Sequence, residues 1–262
     1  MATEKERLRK VESILITQEP SPNTRATYDR LVEKYNLRIH YRPFTEVKPI
    51  SAKDFRRQRI NLEDFTAVIF TSKNSIDHYF RICEENRHKV LEDTKYFCAS
   101  EMIALYLQKH TVYRKRKVFH SQSNNLQDLK PILQKHRKKE KFLLPCSNTS
   151  KEQYAALFQD QELDLQFGVM YETVSADLSD LKDVFYDILV FFNLQSIESL
   201  YENFPDFKQN YTRLAAFGEP TVQALKSHNL IVDIPAPTPT ASSMSAAIEA
   251  YIKEVNALQS RE

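Results

Sequence analysis

The chain has 262 residues, 42% of them apolar and 27% charged, an ordinary globular composition with room for one large or two modest domains. Lys and Arg exceed Asp and Glu by 37 − 35 = 2, so overall charge does not argue for a nucleic-acid partner. Two glycines, Gly168 and Gly218, nearly exclude a glycine-rich phosphate loop. Cys83, Cys98 and Cys146 are too far apart for a CxxC metal pair and odd in number for a disulfide framework, so they read as plain thiols. The N-terminal "MATEKERLRK" lacks the apolar core of a signal peptide, and no run approaches the roughly 18 apolar residues of a membrane span. A cytoplasmic protein with neither membrane nor nucleic-acid partner is expected.

In chain order, short apolar stretches rich in β-branched and aromatic residues predict strands over 13–17, 38–44, 67–70, 96–99, 141–144, 165–171, 188–192, 213–217 and 231–234. Amphipathic helical patterns lie between most of them, such as Tyr28, Leu31, Val32 and Tyr35. Strands alternating with helices predict an α/β protein with parallel sheets covered on both faces.

The chain also repeats itself. With Phe70 set on Phe191, Val68-Ile69 falls on Leu189-Val190 and Ser75-Ile76-Asp77 on Ser196-Ile197-Glu198. With Ser100 set on Gly218, Leu107 meets Leu225 and His110 meets His228. A third match sets Leu31, Leu37 and Ile39 on Leu157, Leu163 and Leu165. Self-similarity at a half-chain period predicts two similar domains. Long strands at 38–44 and 165–171 sit where one domain hands over to the other. The expected division is therefore discontinuous: 1–40 with 176–262, 48–164, and β linkers at 41–47 and 165–175.

Ligands of open α/β sheets bind outside the carboxyl ends of the strands, where helix N-termini present N–H groups and partial positive charge. Five predicted strand ends carry hydroxyls or amides there. They are Thr17-Gln18, Thr71-Ser72-Lys73-Asn74, Cys146-Ser147-Asn148-Thr149, Gly218-Glu219-Pro220-Thr221 and Pro239-Thr240-Ala241-Ser242. Each also suits a plain helix cap. Together, around one inter-domain cleft, they suggest an anionic ligand. No competing chemistry stands out: the seven histidines lack metal-ligand spacing, no GxSxG is present, and no metal is expected. The basic runs at 113–117 and 135–141 lack interleaved aromatics and read as solvated faces that steer an acidic ligand.

Four motifs resemble the uroporphyrinogen-III synthase family. They are Phe70-Thr71-Ser72 at a strand end, Tyr171-Glu172-Thr173 on a connecting strand, Arg213 ahead of the run ending Ala216-Phe217-Gly218-Glu219-Pro220-Thr221, and the segment Pro239-Thr240 through Ala247-Ile248. The resemblance implies two similar flavodoxin-like parallel-sheet domains joined by a two-stranded β-ladder. It implies a monomeric, cofactor-free lyase of haem and tetrapyrrole biosynthesis. Its substrate is hydroxymethylbilane, a linear tetrapyrrole with eight carboxylates, received in transient contact with hydroxymethylbilane synthase. The ring closes with inversion of the terminal pyrrole, through loss of the terminal hydroxyl to an azafulvene, a spiro-pyrrolenine, fragmentation and reclosure. Tyr171 resembles the family's proton donor. Thr17, Thr71, Ser72, Ser147, Asn193, Arg213, Gly218, Thr221 and Thr240 are the implied substrate-binding set.

The chain departs from the family pattern in three places. Phe192-Asn193-Leu194-Gln195-Ser196 replaces a serine-rich strand end, Ser100 through Ala104 lacks the usual Gly and Thr (Ile103 stands in the Thr's place), and Gln18 stands where an arginine is usual. Two other readings stay open on sequence alone. One is a non-catalytic two-domain protein that binds a tetrapyrrole or another polyanion. The other is a nucleic-acid binder using the 113–141 segment.

Overall fold

The computed structural model describes residues 7–122 and 126–259. The first six residues, part of the charged N-terminal stretch, lie outside them. β1 (Ser13–Ile16) leads to α1 (Pro22–Tyr35), whose first turn is capped by the Ser21 hydroxyl and whose last closes on Asn36 in the left-handed conformation. Then come β2 (Arg38–Tyr41), β3 (Thr45–Pro49), α2 (Ala52–Arg57), β4 (Ala67–Phe70), α3 (Lys73–Glu85), β5 (Lys95–Cys98), α4 (Glu101–Tyr106) and β6 (Val118–His120). α5 (Lys130–His136), β7 (Phe142–Ser147), α6 (Lys151–Phe158) and the long β8 (Leu165–Ser175) follow. The chain continues through β9 (Ile188–Phe191), α7 (Leu194–Asn203), β10 (Arg213–Phe217), α8 (Glu219–Ser227), β11 (Val232–Ala236) and α9 (Met244–Gln259).

These elements form two compact units. One holds the described residues up to Glu46 and from Val174 onward, and the other holds Val47–Thr173. Both chain crossings fall in β3 and β8, which are hydrogen-bonded neighbours in one sheet. The first unit's sheet runs β2-β1-β9-β10-β11, and the second's runs β3-β8-β7-β4-β5-β6. Pairings β1–β2, β1–β9, β9–β10 and β10–β11 in one, and β4–β5, β4–β7, β5–β6 and β7–β8 in the other, are parallel. The first order is the flavodoxin order 2-1-3-4-5.

The second sheet has the same spatial order once β8, β7, β4, β5 and β6 are set on β2, β1, β9, β10 and β11. Register agrees along the inner pairings, while β10–β11 carries an irregularity after Leu214 that β5–β6 lacks. Ala67 pairs with Phe142 as Ile188 pairs with Ile14, and Leu143 pairs with Gln166 as Leu15 pairs with His40. Each unit thus combines the front half of one sequence repeat with the back half of the other.

Strands β4 and β9 are buried at every position, which is why they read as continuous apolar runs. Alternate residues feed opposite faces. In the first unit Ile14, Ile16, Val190 and Ala215 pack with Ile248 and Ile252 of α9, while Leu15, Leu189, Phe191 and Leu214 pack with Leu200 of α7 and Leu225 of α8. In the second unit Val68, Phe70 and Leu143 pack with Tyr79 of α3 and Phe55 of α2, and Ile69, Phe97 and Leu144 pack with Leu133 of α5. All three cysteines are buried thiols. No described helix is long and apolar enough to cross a membrane, and the described residues contain no metal-binding group of three or more His, Cys, Asp or Glu.

Two expectations need adjusting. β3 overlaps the β linker expected at 41–47 but runs on to Pro49 and is almost wholly exposed, and β6, three residues beside a basic run, was not anticipated. That run is partly ion-paired, with Lys117 bound to Asp93 and Arg114 near Glu92, while Lys95 pairs with Glu140.

Candidate functional site

In the second unit the carboxyl ends of β4, β5, β7 and β8 gather one rim. Ser72 caps α3. Its hydroxyl accepts from Ser75 N at 3.1 Å, while Ser75 Oγ accepts from the backbone N–H groups of Thr71 and Ser72 at 3.2 and 3.1 Å. Those two amides are therefore committed to the cap and not offered to an anion, contrary to the sequence expectation. The free group is the Thr71 hydroxyl, which is shielded from solvent and has no hydrogen-bond partner among the described residues. An unmatched hydroxyl of this kind costs about 1–3 kcal/mol, which a bound acceptor removes. It borders a cavity of about 560 Å³ shared with Ala99, Gln153 and Tyr154.

Tyr171 lies on β8, level with Ser147, the last residue of β7. It is 6% exposed. Burial pushes its phenol up to about 12, and the Ser72 hydroxyl beside it offsets part of that rise. The group is a protonated donor throughout the neutral range. His78 of α3 stacks on its ring with centroids 4.9 Å apart. Burial, and then the Arg81 guanidinium, hold His78 below the usual histidine range. Ser147 is buried in a hydroxyl cluster with Thr149 and Ser150. Asn148 spends its carbonyl on Thr173 N at 2.9 Å, leaving the amide end at the exposed surface.

In the first unit the corresponding rim carries Thr17, Asn193, Gly218, Thr221 and Thr240. Thr17 is buried and donates to Val190 O at 2.8 Å, so its hydroxyl locks β1 to β9. Asn193 caps α7 through its carbonyl oxygen, which accepts from Ser196 N and Ser196 Oγ, both at 2.9 Å. Its Nδ2 donor is not used by that cap. Gly218 has φ 85 and ψ 142 at the N-cap of α8, a conformation an L side chain rarely adopts. Its N–H donates to Ala236 O at 2.6 Å, joining the ends of β10 and β11. Thr221 is buried in the first turn of α8, and Thr240 is exposed in the loop before α9 beside Thr238 Oγ1 at 3.3 Å.

Arg213 does not belong to this rim. It opens β10 at the amino end of the sheet and is 1% exposed. Its guanidinium donates to Tyr211 O and Arg9 O, both at 3.2 Å, and lies 3.8 Å from Asp187. The parallel strand that carries Gly218 outward carries Arg213 to the opposite edge.

Sequence reasoning missed Tyr41 and His78. Tyr41 ends β2, its hydroxyl is shielded without a partner among the described residues, and Arg25 lies over its ring at 5.1 Å. Its place at a strand end was hidden because the expected strand ran on over 38–44, and the stacking of His78 on Tyr171 joins two elements distant in sequence.

The family model for uroporphyrinogen-III synthase HemD matches residues 26–246. Two solved structures share the fold over nearly their whole length. A uroporphyrinogen-III synthetase from Helicobacter pylori is 18% identical with a TM-score of 0.57, covering 93% of this chain and 99% of its own. A mutant uroporphyrinogen III synthase from Thermus thermophilus is 13% identical with a TM-score of 0.54, at the same coverage of both chains. No curated protein matches the chain. The family match runs from α1 into α9 and spans every strand-end residue described above except Thr17: the chain belongs to the uroporphyrinogen-III synthase family.

Proposed function

We propose that this chain closes hydroxymethylbilane to uroporphyrinogen III with inversion of the terminal pyrrole, and that Tyr171 is its general acid. The observation that carries the assignment of Tyr171 is a buried phenol, held protonated, at the strand-end rim of a chain matched to this family. In the first step the Tyr171 O–H protonates the terminal hydroxyl, the C–O bond breaks, and water departs to leave an azafulvenium cation, the N-protonated azafulvene. A proton returns to the phenolate when the attacking pyrrole loses its own on rearomatising. A positioned acid of this kind is worth roughly 10²–10⁴ in rate.

The remaining work is to hold a flexible polyanion in one geometry. Thr71 Oγ1, the amide donors of Asn148 and Asn193, and the N-termini of α3, α7 and α8 are the groups we assign to substrate carboxylates. A helix terminus contributes roughly 0.3–1 kcal/mol each. Thr17 and Ser147 act by fixing strand ends, and Thr221 and Thr240 by shaping the turns after β10 and β11. On the same reading β3 and β8 form the ladder that links the domains. The enzyme is a cytoplasmic monomer that receives its substrate from hydroxymethylbilane synthase.

The test is a coupled assay in which hydroxymethylbilane is generated by its synthase and the oxidised products are separated by chromatography. Isomer III in proportion to added protein is expected. Isomer I alone, with and without the protein, would leave the non-catalytic binding reading in its place.

A further inference from the structure

The repeat gives the cavity beside Thr71 a counterpart in the other unit. Register sets β4 on β9 and β5 on β10, with Ala67 on Ile188 and Lys95 on Arg213. Carried on to the carboxyl ends of these strands, it sets Thr71 on Phe192 and Ala99 on Phe217. In the first unit those two phenyl rings stand 6.1 Å apart with planes 35° from parallel, and both pack on the core cluster that holds Ile14, Val190 and Ile248. In the second unit the same place carries only a threonine and an alanine, and a cavity of about 560 Å³ opens there. Interiors are close-packed as a rule, so a place plugged by two rings in one repeat and left open in the other calls for an occupant.

The wall of the cavity shows what that occupant is. Leu126, Tyr154 and Leu157 line it, and none of the described residues around it is charged. The repeat that sets Leu157 on Leu31 sets Tyr154 on Tyr28. Tyr28 is 1% exposed in the first unit, whereas Tyr154 stays half-buried at the cavity wall, with a ring able to pack against an incoming one. Thr71 Oγ1 is the one lining oxygen shielded from solvent without a partner among the described residues. The volume is that of a small-ligand cleft, and a mostly apolar wall with one unmet hydroxyl suits a single aromatic ring carrying a polar substituent.

We infer that this cavity is a ring pocket: one pyrrole of the substrate occupies the place that Phe192 and Phe217 fill in the other unit, packs against Tyr154, and directs a carboxylate side chain to Thr71 Oγ1. The inference rests on the reading of the chain as a uroporphyrinogen-III synthase and adds which unit takes a ring and which residues decide it. Ala99 and Thr71 act here by being small. The first unit is plugged by its own side chains and takes no ring at the corresponding place.

The probe is a monopyrrole carrying one acetate and one propionate side chain, titrated into the isotope-labelled full chain and followed by amide chemical shifts. Saturable shifts centred on Thr71, Ala99 and Tyr154 are expected. Ala99→Phe rebuilds half of the first unit's plug and should abolish them. Thr71→Val keeps the shape, removes the hydroxyl and should weaken binding about tenfold. In the isomer III assay Ala99→Phe should lower kcat/KM at least about tenfold with an unchanged melting temperature. No shifts at these residues with about 10 mM probe, or shifts that Ala99→Phe and Thr71→Val leave unaltered, would overturn the proposal. So would an unchanged kcat/KM in Ala99→Phe. A parent chain that forms no isomer III would instead remove the proposed function, while the titration still decides whether the pocket takes a pyrrole.

Discussion

The imidazole of His78 lies 4.9 Å from the ring of Tyr171, with the two planes only 20° apart. Arg81 holds the stack from behind: its Nε donates to His78 Nδ1 at 3.3 Å, its Nη2 donates to Met170 O at 2.9 Å, and its Nη1 pairs with Glu85 at 2.7 Å. The arrangement fixes one face of the phenol without using its hydroxyl. Tyr171→Phe keeps the ring and removes the proton, so kcat should fall by roughly 10²–10⁴ with KM little changed. His78→Phe keeps a stacking ring and should retain most activity, whereas His78→Ala should lose more. Equal rates for Tyr171→Phe and the parent, in the isomer III assay, would remove Tyr171 from the acid role.

Arg213 gives the opposite prediction. Arg213→Met leaves the Asp187 carboxylate short of a neighbouring charge and strips donors from Tyr211 O and Arg9 O. Asp187 keeps its hydrogen bonds from Glu12 N, Ser13 N and Ser13 Oγ, so the cost is that of leaving those carbonyls without donors, about 1–3 kcal/mol. Urea unfolding should show that loss, while KM of the folded fraction stays constant. A rise in KM with stability intact would return Arg213 to the substrate.

Gly218 and Gly168 separate conformation from space. At Gly218 an added Cβ meets nothing nearer than Pro220 Cδ at 3.8 Å, but φ is 85. Gly218→Ala should therefore cost about 1–3 kcal/mol through backbone strain alone. Gly168 has an ordinary φ, and its Cβ would press on Met170 Cε at 3.2 Å and Leu143 Cδ1 at 3.3 Å, side-chain ends able to yield. Gly168→Ala should cost less. Chemical denaturation of both variants checks the order.

Acid should weaken the Val47–Thr173 unit. His78, His88 and His136 all lie in it, and burial holds each below the ordinary value of about 6.5. As pH falls, the unfolded chain takes up these protons first. Their contribution is therefore present above about 6.5 and is lost as pH drops through the folded values. Thermal midpoints should fall between about pH 7.5 and 5.5, and less steeply when the three are replaced by glutamine. Midpoints independent of the three substitutions would refute the linkage.

Much of this architecture is legible in the sequence because β4 and β9 are buried on both faces. Their letters are constrained at every position, so "AVIF" and "ILVF" align, and the helices beginning near Lys73 and Leu194 follow at the same distance. The bounds of β3 hide because four of its five residues are exposed and carry no apolar pattern. At the site, Ser72 and Asn193 are readable as the residues opening helices. What spacing cannot tell is how a hydroxyl is spent: Thr17 and Ser147 turn inward to neighbouring strands and hydroxyls, while Thr71 stays unmatched. Arg213 shows the other limit, since a residue five positions from Gly218 in a strand lies at the far end of the sheet.

The interleaving of the two repeats also sets an order of events during synthesis. Val47–Thr173 is one unbroken stretch and has all its strands once residue 173 has been made, apart from the outer end of β8. The other unit cannot close then. β1 emerges early but its inner neighbour is β9, where Ile14 meets Ile188. β1, α1 and β2 must therefore wait on the ribosome through the synthesis of an entire second body before their partners arrive. Pairings so distant along the chain are slow to form and leave apolar edges open meanwhile. Chaperone demand should accordingly concentrate on the first 46 residues, and a stop anywhere before β9 should leave them without partners.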